Sequence, residues 1–169
     1  GGIADVEYWG SGGGVAGSGS AWGGNGGGLI VMYVNNVITI NGQLLVGGGL
    51  PDQNAGGGSG GGIRLNSSHL GGTGMINADG APGNSVENTG GGGGGRILID
   101  YTCLSDLLSI TAYGGTGYNG TAGDGTNGTV NTVEQSTCDP LNFDADGDGY
   151  SPNQGDPDDT DPNVLPPAP

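Results

Sequence analysis

Runs of glycine that each end in a short β-favouring apolar segment occur three times in this chain, and this recurrence restricts the fold more than any other feature. Gly26-Gly27-Gly28 leads into Leu29 to Ile40, Gly60-Gly61-Gly62 into Ile63-Arg64-Leu65, and Gly93-Gly94-Gly95 into Ile97-Leu98-Ile99. Gly28 and Gly62 lie 34 residues apart, as do Ile76 and Ile110, while Leu44 and Ile76 lie 32 apart. A fixed spacing of this size is the mark of a repeat architecture. Each unit carries a second strand segment, at Leu44-Leu45-Val46, Met75 to Ala78 and Ile110 to Ala112, and one more short strand is expected over Thr129 to Val133.

One such unit has too little apolar surface to fold alone. Glycine fills 44 of the 169 positions and only 32% of residues are hydrophobic, so an ordinary two-layer core is out of reach and a thin stacked one is not. Interior glycine costs a helix about 1 kcal/mol relative to alanine, and the glycines follow no strict three-residue collagen period. The expectation is an all-β chain of stacked short strands, a glycine-rich β-solenoid or β-helix. The glycine runs form either polyproline II-like segments or bare turns, where missing side chains let neighbouring coils approach closely.

The strands differ in their faces. Ile63-Arg64-Leu65-Asn66 alternates, the pattern of a strand with one solvated face. Leu29-Ile30-Val31-Met32-Tyr33-Val34 is apolar on both faces and should be covered on both. Either another subunit covers it, making these six residues a self-assembly seam, or the N-terminal segment with Trp9 and Trp22 does. Three such side chains buried at a seam contribute on the order of 5 kcal/mol before association entropy.

Seventeen acids stand against Arg64 and Arg96, with no lysine, for a formal charge of −15. Nothing here neutralises phosphates, which argues against nucleic acid as a partner, and an anionic membrane would repel the chain. No run of about 20 apolar residues offers a bilayer span. Cys103 and Cys138 make an even pair in a Gly/Asn/Thr-rich chain of secreted appearance, and predict a disulfide, with two buried thiols as the alternative. Asn66, Asn119 and Asn127 each open a glycosylation sequon.

The acids concentrate at the C-terminal end. Asp144-Ala145-Asp146-Gly147-Asp148-Gly149-Tyr150 has the D-x-D-x-D-G order of a calcium loop, in which alternate carboxylates face one hard cation and the glycine permits the turn around it. Asp144, Asp146 and Asp148 would offer carboxylates and Tyr150 its carbonyl. The twelfth position is Gly155, which has no side-chain oxygen, so Asp156, Asp158, Asp159 or Asp161 must complete the shell. The domain plan is therefore residues 1–138 as the repeat domain, 139–163 as an Asp-rich calcium loop, and 164–169 as a Pro-rich linker or tail.

Asp144 to Pro166, DADGDGYSPNQGDPDDTDPNVLP, resembles the MopE-type metal-binding motif of bacterial extracellular proteins, and more loosely thrombospondin type 3 and dockerin calcium loops. Pro157 stands where that motif has cysteine, so no cysteine role carries over. The resemblance implies Ca²⁺ more than copper, because the loop offers carboxylates and no His, Met or Cys. Blocks such as Gly56-Gly57-Gly58-Ser59-Gly60-Gly61-Gly62-Ile63 are also similar to the glycine-rich repeat regions of bacterial surface and adhesin-like proteins.

No catalytic constellation accompanies these features. His69 has no nucleophile matched to it by motif and is expected on the surface or in a turn. Arg64 or Arg96 as the base of a polysaccharide lyase is a distant third reading. The expected role is a structural extracellular or cell-surface protein, a self-associating filament or matrix subunit stabilised by calcium. The alternative is an adhesin or lectin-like module that binds surface glycans through Tyr8, Trp9, Trp22, Tyr113 and Tyr118, although capping the thin core is the simpler role for these aromatics.

Overall fold

In the computed structural model the described residues are 8–15, 21–84, 89–104, 108–118, 123–134, 144, 146 and 148–167. The chain divides into two compact units, Gly1–Gln135 and Ser136–Pro169. The first is all-β among the described residues. Its strands are β1 (Leu29–Thr39), β2 (Gln43–Leu45), β3 (Gly62–Gly71), β4 (Met75–Asn77), β5 (Arg96–Leu104), β6 (Ser109–Thr111) and β7 (Thr129–Glu134). Each expected strand segment is present, and β3 and β5 run on past the three-residue segments that mark them in the sequence.

All pairings between these strands are parallel. One sheet has the order β1-β3-β5-β7 and the other the order β2-β4-β6. In the first sheet Leu29 pairs with Gly62, Gly62 with Arg96, and Arg96 with Thr129, which is the sequence period expressed as register. The same step brings Ile30, Ile63, Ile97 and Val130 into one row and Met32, Leu65, Ile99 and Thr132 into the next. Ile63, Leu65, Ile97 and Ile99 are fully buried and join Ile38, Leu70 and Ile76 of the same core. An aliphatic row repeated on every strand is thus how a chain with so few apolar residues builds a core. A register irregularity between Val34 and Val37 preserves the pairing of β1 with β3 further along.

The glycine runs are ordered by hydrogen bonds between runs. Gly57 N–H donates to Gly90 O at 3.1 Å and Gly60 N–H to Gly93 O at 2.9 Å, so residues three apart reach the same neighbour. Gly58 and Gly61 donate to Gly49 O and Val46 O, on a second neighbour, and Gly56 and Ser59 to Gly14 O and Ser11 O, on a third. A donor that returns to the same direction every third residue has the period of polyproline II, which makes no internal bonds and must satisfy its peptides outside itself. Residues 21–28, 56–61, 89–95 and 123–128 form one layer of such runs, and 46–51, 78–83 and 112–118 form the layer bonded to it. Glycine is required by the separation: a Cβ on Gly61 would overlap Gly28 O, and one on Gly92 would overlap Gly58 O.

Two expectations need correction. Trp9 and Trp22 do not cover β1, since they are 77% and 75% exposed, and Val31 and Tyr33 on its outer face are 43% and 62% exposed. Ile30, Met32 and Val34 pack against the core, so among the described residues β1 is covered on one face only. His69 is not in a surface turn; it lies in β3 and is buried, because the strand continues through the polar stretch Asn66-Ser67-Ser68. Among the described residues no helix is long and apolar enough to cross a membrane.

Candidate metal centre

The second unit gathers the carboxylates that the Asp-x-Asp spacing suggests. Asp144, Asp146 and Asp159 form one group and Asp146, Asp148 and Asp156 another, and within each group one oxygen per residue lies within 4.8 Å of the others. These Asp clusters could hold a metal ion. Asp146 belongs to both groups, which makes it the centre of the arrangement.

The local backbone explains why these oxygens converge. Asp146 Oδ1 accepts from Asp148 N–H at 3.1 Å, Asp148 Oδ1 from Tyr150 N–H at 2.8 Å, and Asp156 Oδ1 from Asp158 N–H at 2.9 Å. Each carboxylate is thereby fixed by a turn two residues long, with one oxygen occupied. Asp144 Oδ2 accepts from Gly149 N–H at 2.9 Å, closing the first part of the loop on itself. Gly149, at φ 99°, and Gly155, at φ 94°, take the left-handed conformation at its two sharp bends. A short 3₁₀ turn over Pro152–Gln154, with Gln154 Oε1 accepting from Ser151 N–H, leads the chain back toward Asp156.

The remaining oxygens carry the chemistry. Asp146 Oδ2, Asp148 Oδ2 and Asp156 Oδ2 are buried without a hydrogen-bond partner, and Asp156 as a whole is only 8% exposed. Three buried carboxylate oxygens with no donor among the described residues are costly unless something positive binds among them. The same crowding acts on protonation. Desolvation raises the pKa of the Asp146 carboxyl above the ordinary aspartate value, the Asp148 amide opposes this, and repulsion from Asp148, Asp156 and Asp144 adds to the rise.

Not every candidate ligand joins these groups. Asp158 Oδ1 accepts from Thr160 N–H and Oγ1–H, and Asp161 Oδ1 from Asn163 N–H and Nδ2–H, so both are occupied in turns and belong to neither cluster. The Asn163 bonds lower the pKa of Asp161. Tyr150 places its amide on Asp148 and a partly exposed ring outside. Ala145 and Gly147 lie outside the described residues.

In the first unit, Cys103 is disulfide-bonded, and Cys138 lies outside the described residues. Arg64 of β3 sits over the exposed Tyr33 ring of β1 at 5.4 Å. The sequence reading passed over Asp79, whose carboxylate accepts from Asn77 Nδ2–H, Thr111 Oγ1–H and Tyr113 N–H across two repeats. The repeat offset, which carries Asn77 to Thr111 and Asp79 to Tyr113, was the signal that could have located it.

Comparison with protein-family models, with curated proteins and with solved structures finds no match to this chain.

Proposed function

We propose that this chain is a structural extracellular protein, a subunit that associates with copies of itself in a surface filament or matrix. On this reading the parallel sheets and glycine runs wind as one β-solenoid, and the Asp-rich loop, of MopE type, binds Ca²⁺. The observation that carries the proposal is β1, an eleven-residue, largely apolar strand with one neighbouring strand among the described residues, whose outer face leaves Val31 and Tyr33 exposed. An open edge of this length is a template for pairing with another chain, and monomeric proteins normally blunt it with charge or proline. Neither is present between Leu29 and Thr39.

Calcium fits the loop better than other ions. The donors are carboxylates with no His or Cys among the gathered residues, which favours a hard cation. Several carboxylates on a short loop suit the six to eight oxygens of Ca²⁺ better than the strict octahedron of Mg²⁺. Bound metal would neutralise the three unpartnered oxygens and stabilise the C-terminal unit.

Electron microscopy of the purified chain, with calcium and with a chelator, tests both parts. Polymers that form with calcium and disperse without it support the proposal, and a chain that stays monomeric at high concentration in both conditions overturns it. A second reading, a glycan-binding module, is favoured by the exposure of Tyr8, Trp9 and Trp22. Aromatic faces of this kind stack on sugars. Binding of a soluble monomer on a glycan array would decide for it.

A further inference from the structure

Residues 8–15 form an extended arm seated in a groove between the first and second runs of the glycine layer. Gly10 N–H and Gly13 N–H donate to Gly27 O and Gly24 O of the first run, each at 2.8 Å. In return Gly14 O and Ser11 O accept from Gly56 N–H and Ser59 N–H of the second run, each at 2.9 Å. Ser59 Oγ also accepts from Ser11 N–H at 2.6 Å, so a hydroxyl on the donating wall adds to the grip. The accepting wall is bare: a Cβ on Gly23 or Gly26 would overlap Gly13 O or Gly10 O of the arm.

The hydrogen bonds between runs define which positions correspond. Gly24, Gly57 and Gly91 donate to Gly56, Gly90 and Gly123, and Gly27, Gly60 and Gly94 donate to Ser59, Gly93 and Thr126. Gly23 therefore corresponds to Gly56, Gly90 and Gly123, and Gly26 to Ser59, Gly93 and Thr126. The groove between the second and third runs has Ser59 on its accepting wall, where the arm's groove has Gly26, and its side chain would meet a close-fitting segment. In the groove between the third and fourth runs both places are glycine again, Gly90 and Gly93. Among the described residues the nearest atoms to a Cβ there are Gly123 O at 3.4 Å and Thr126 O at 3.7 Å, which leaves this wall open to them.

The bonding groups of that groove are free as well. Gly91 O and Gly94 O, which correspond to Gly24 O and Gly27 O, accept no bond among the described residues. Gly123 N–H and Thr126 N–H, which correspond to Gly56 and Ser59, donate none. Thr126 brings a hydroxyl to the position that Ser59 holds in the filled groove. Two acceptors, two donors, a hydroxyl and a side-chain-free wall are repeated at the same spacing.

We infer that the groove between residues 89–95 and 123–128 is a docking site for a glycine-rich extended segment, residues 8–15 of a second copy of this chain. Gly10, Ser11, Gly13 and Gly14 of the incoming arm would make the bonds that they make in their own groove. Because the two grooves present the same groups, an arm that leaves its own chain for a neighbour loses no hydrogen bond, and the vacated groove can accept an arm from another copy. Proline cannot stand at the positions of Gly10 and Gly13, which must donate an N–H and leave no room for Cβ. This separates the site from surfaces that take ordinary polyproline ligands. The inference deepens the self-association proposed above by naming one contact, and it does not depend on calcium.

The test uses the full chain and a fluorescent peptide with the sequence of residues 8–15, followed by anisotropy. Saturable binding with one peptide per chain is expected, falling at least tenfold for the Gly93→Leu chain, whose added side chain points into open space and leaves the fold unchanged by circular dichroism. The Thr126→Val chain, which keeps the bare wall, should lose a few-fold, and a peptide with alanine for Gly10 and Gly13 should not bind. No binding to the wild-type chain, equal binding to Gly93→Leu, or equal binding of a proline-substituted peptide would each overturn the inference. Filaments without peptide binding would leave the proposed function standing and remove this contact; peptide binding without filaments would do the reverse.

Discussion

Gly92 and Gly93 are adjacent in the same run, yet substituting each by alanine should move stability in opposite directions. A Cβ on Gly92 would overlap Gly58 O and its carbonyl carbon and come within 2.9 Å of Gly57 O. All three are backbone atoms of the neighbouring run, so no rotamer change relieves the overlap. Overpacking of this kind costs about 1 to 3 kcal/mol. Parting the runs also strains the bonds from Gly92 N–H to Ala81 O and from Gly115 N–H to Gly92 O, both 2.8 Å, at about 1 kcal/mol each. Gly92→Ala should therefore cost roughly 3 to 5 kcal/mol, a large share of the 5 to 15 kcal/mol that holds a typical domain. On Gly93 the same methyl meets no described atom nearer than 3.7 Å and restricts only the unfolded chain, which should stabilise by about 0.4 to 1 kcal/mol. Guanidinium unfolding followed by far-ultraviolet circular dichroism reads the first unit, which holds all seven described strands. Equal shifts for the two variants, or a Gly92→Ala midpoint at the wild-type value, would refute the close-packed account of the runs.

The metal loop supports two more predictions. Asp146→Asn, which alters the carboxylate shared by both groups, and Asp156→Asn, which alters the most buried one, should each weaken Ca²⁺ binding at least tenfold by calorimetry, whereas Asp161→Asn, outside both groups, should have little effect; equal losses at all three would show that the acids act only as diffuse charge. Burial and the neighbouring carboxylates raise the pKa of Asp146 above that of an ordinary aspartate, so between the ordinary value and the raised one the folded loop holds a proton that the unfolded chain has released. The metal-free unit thus loses stability as pH rises through this window. Ca²⁺, which needs the carboxylate, loses affinity as pH falls through it, with the decline starting above the range of an ordinary aspartate. Ca²⁺ titrations from pH 7.5 to pH 4 check the direction, and affinity that rises on acidification would refute it.

The parallel strands were legible in the sequence because their signal is periodic: an aliphatic pair such as Ile63 and Leu65 returns as Ile97 and Ile99 at the step that pairs them. That the acids of the Asp-x-Asp stretch gather was legible for a similar reason, but their division was not: Asp144 and Asp148 fall in different groups that share Asp146, and Asp159 and Asp156 complete them. The covering of β1 was not legible, because apolar character on both faces states that a partner is needed and not which one. Trp9 and Trp22 looked suited to that role by size, and their position is set instead by the glycines around them, which bond to other runs. The burial of His69 was obscured by its polar neighbours, as strand pairing with β5 carries the segment inward whatever its hydropathy. Least visible was the use of the glycines. Successive ones face different neighbours and every third one faces the same neighbour, and a uniform string of one residue type hides that division of labour.

The division becomes visible where the glycine pattern breaks, at Asp124 and Asn127. By register these correspond to Gly24, Gly57 and Gly91 and to Gly27, Gly60 and Gly94, positions where a Cβ would meet the adjoining layer. Within the stack Gly80 N–H donates to Tyr113 O and Gly83 N–H to Thr116 O of the following run. Their counterparts Gly114 and Gly117 have no following run among the described residues, and donate instead to Asn127 Oδ1 at 3.0 Å and Asp124 Oδ1 at 2.7 Å. The two side chains thus stand in for the carbonyls of a missing repeat and close that layer, as terminal repeats of stacked folds must. Restoring glycine at both positions should cost about 1 to 3 kcal/mol in lost bonds and added chain entropy, while exposing two N–H groups aimed at a neighbour. If self-association proceeds by adding repeats to this end, the Asp124→Gly, Asn127→Gly chain should associate at lower concentration in sedimentation velocity. If it proceeds through β1 and the arm, association should be unchanged while stability falls. A double variant that is neither destabilised nor more associated would show that Asp124 and Asn127 do not cap the layer.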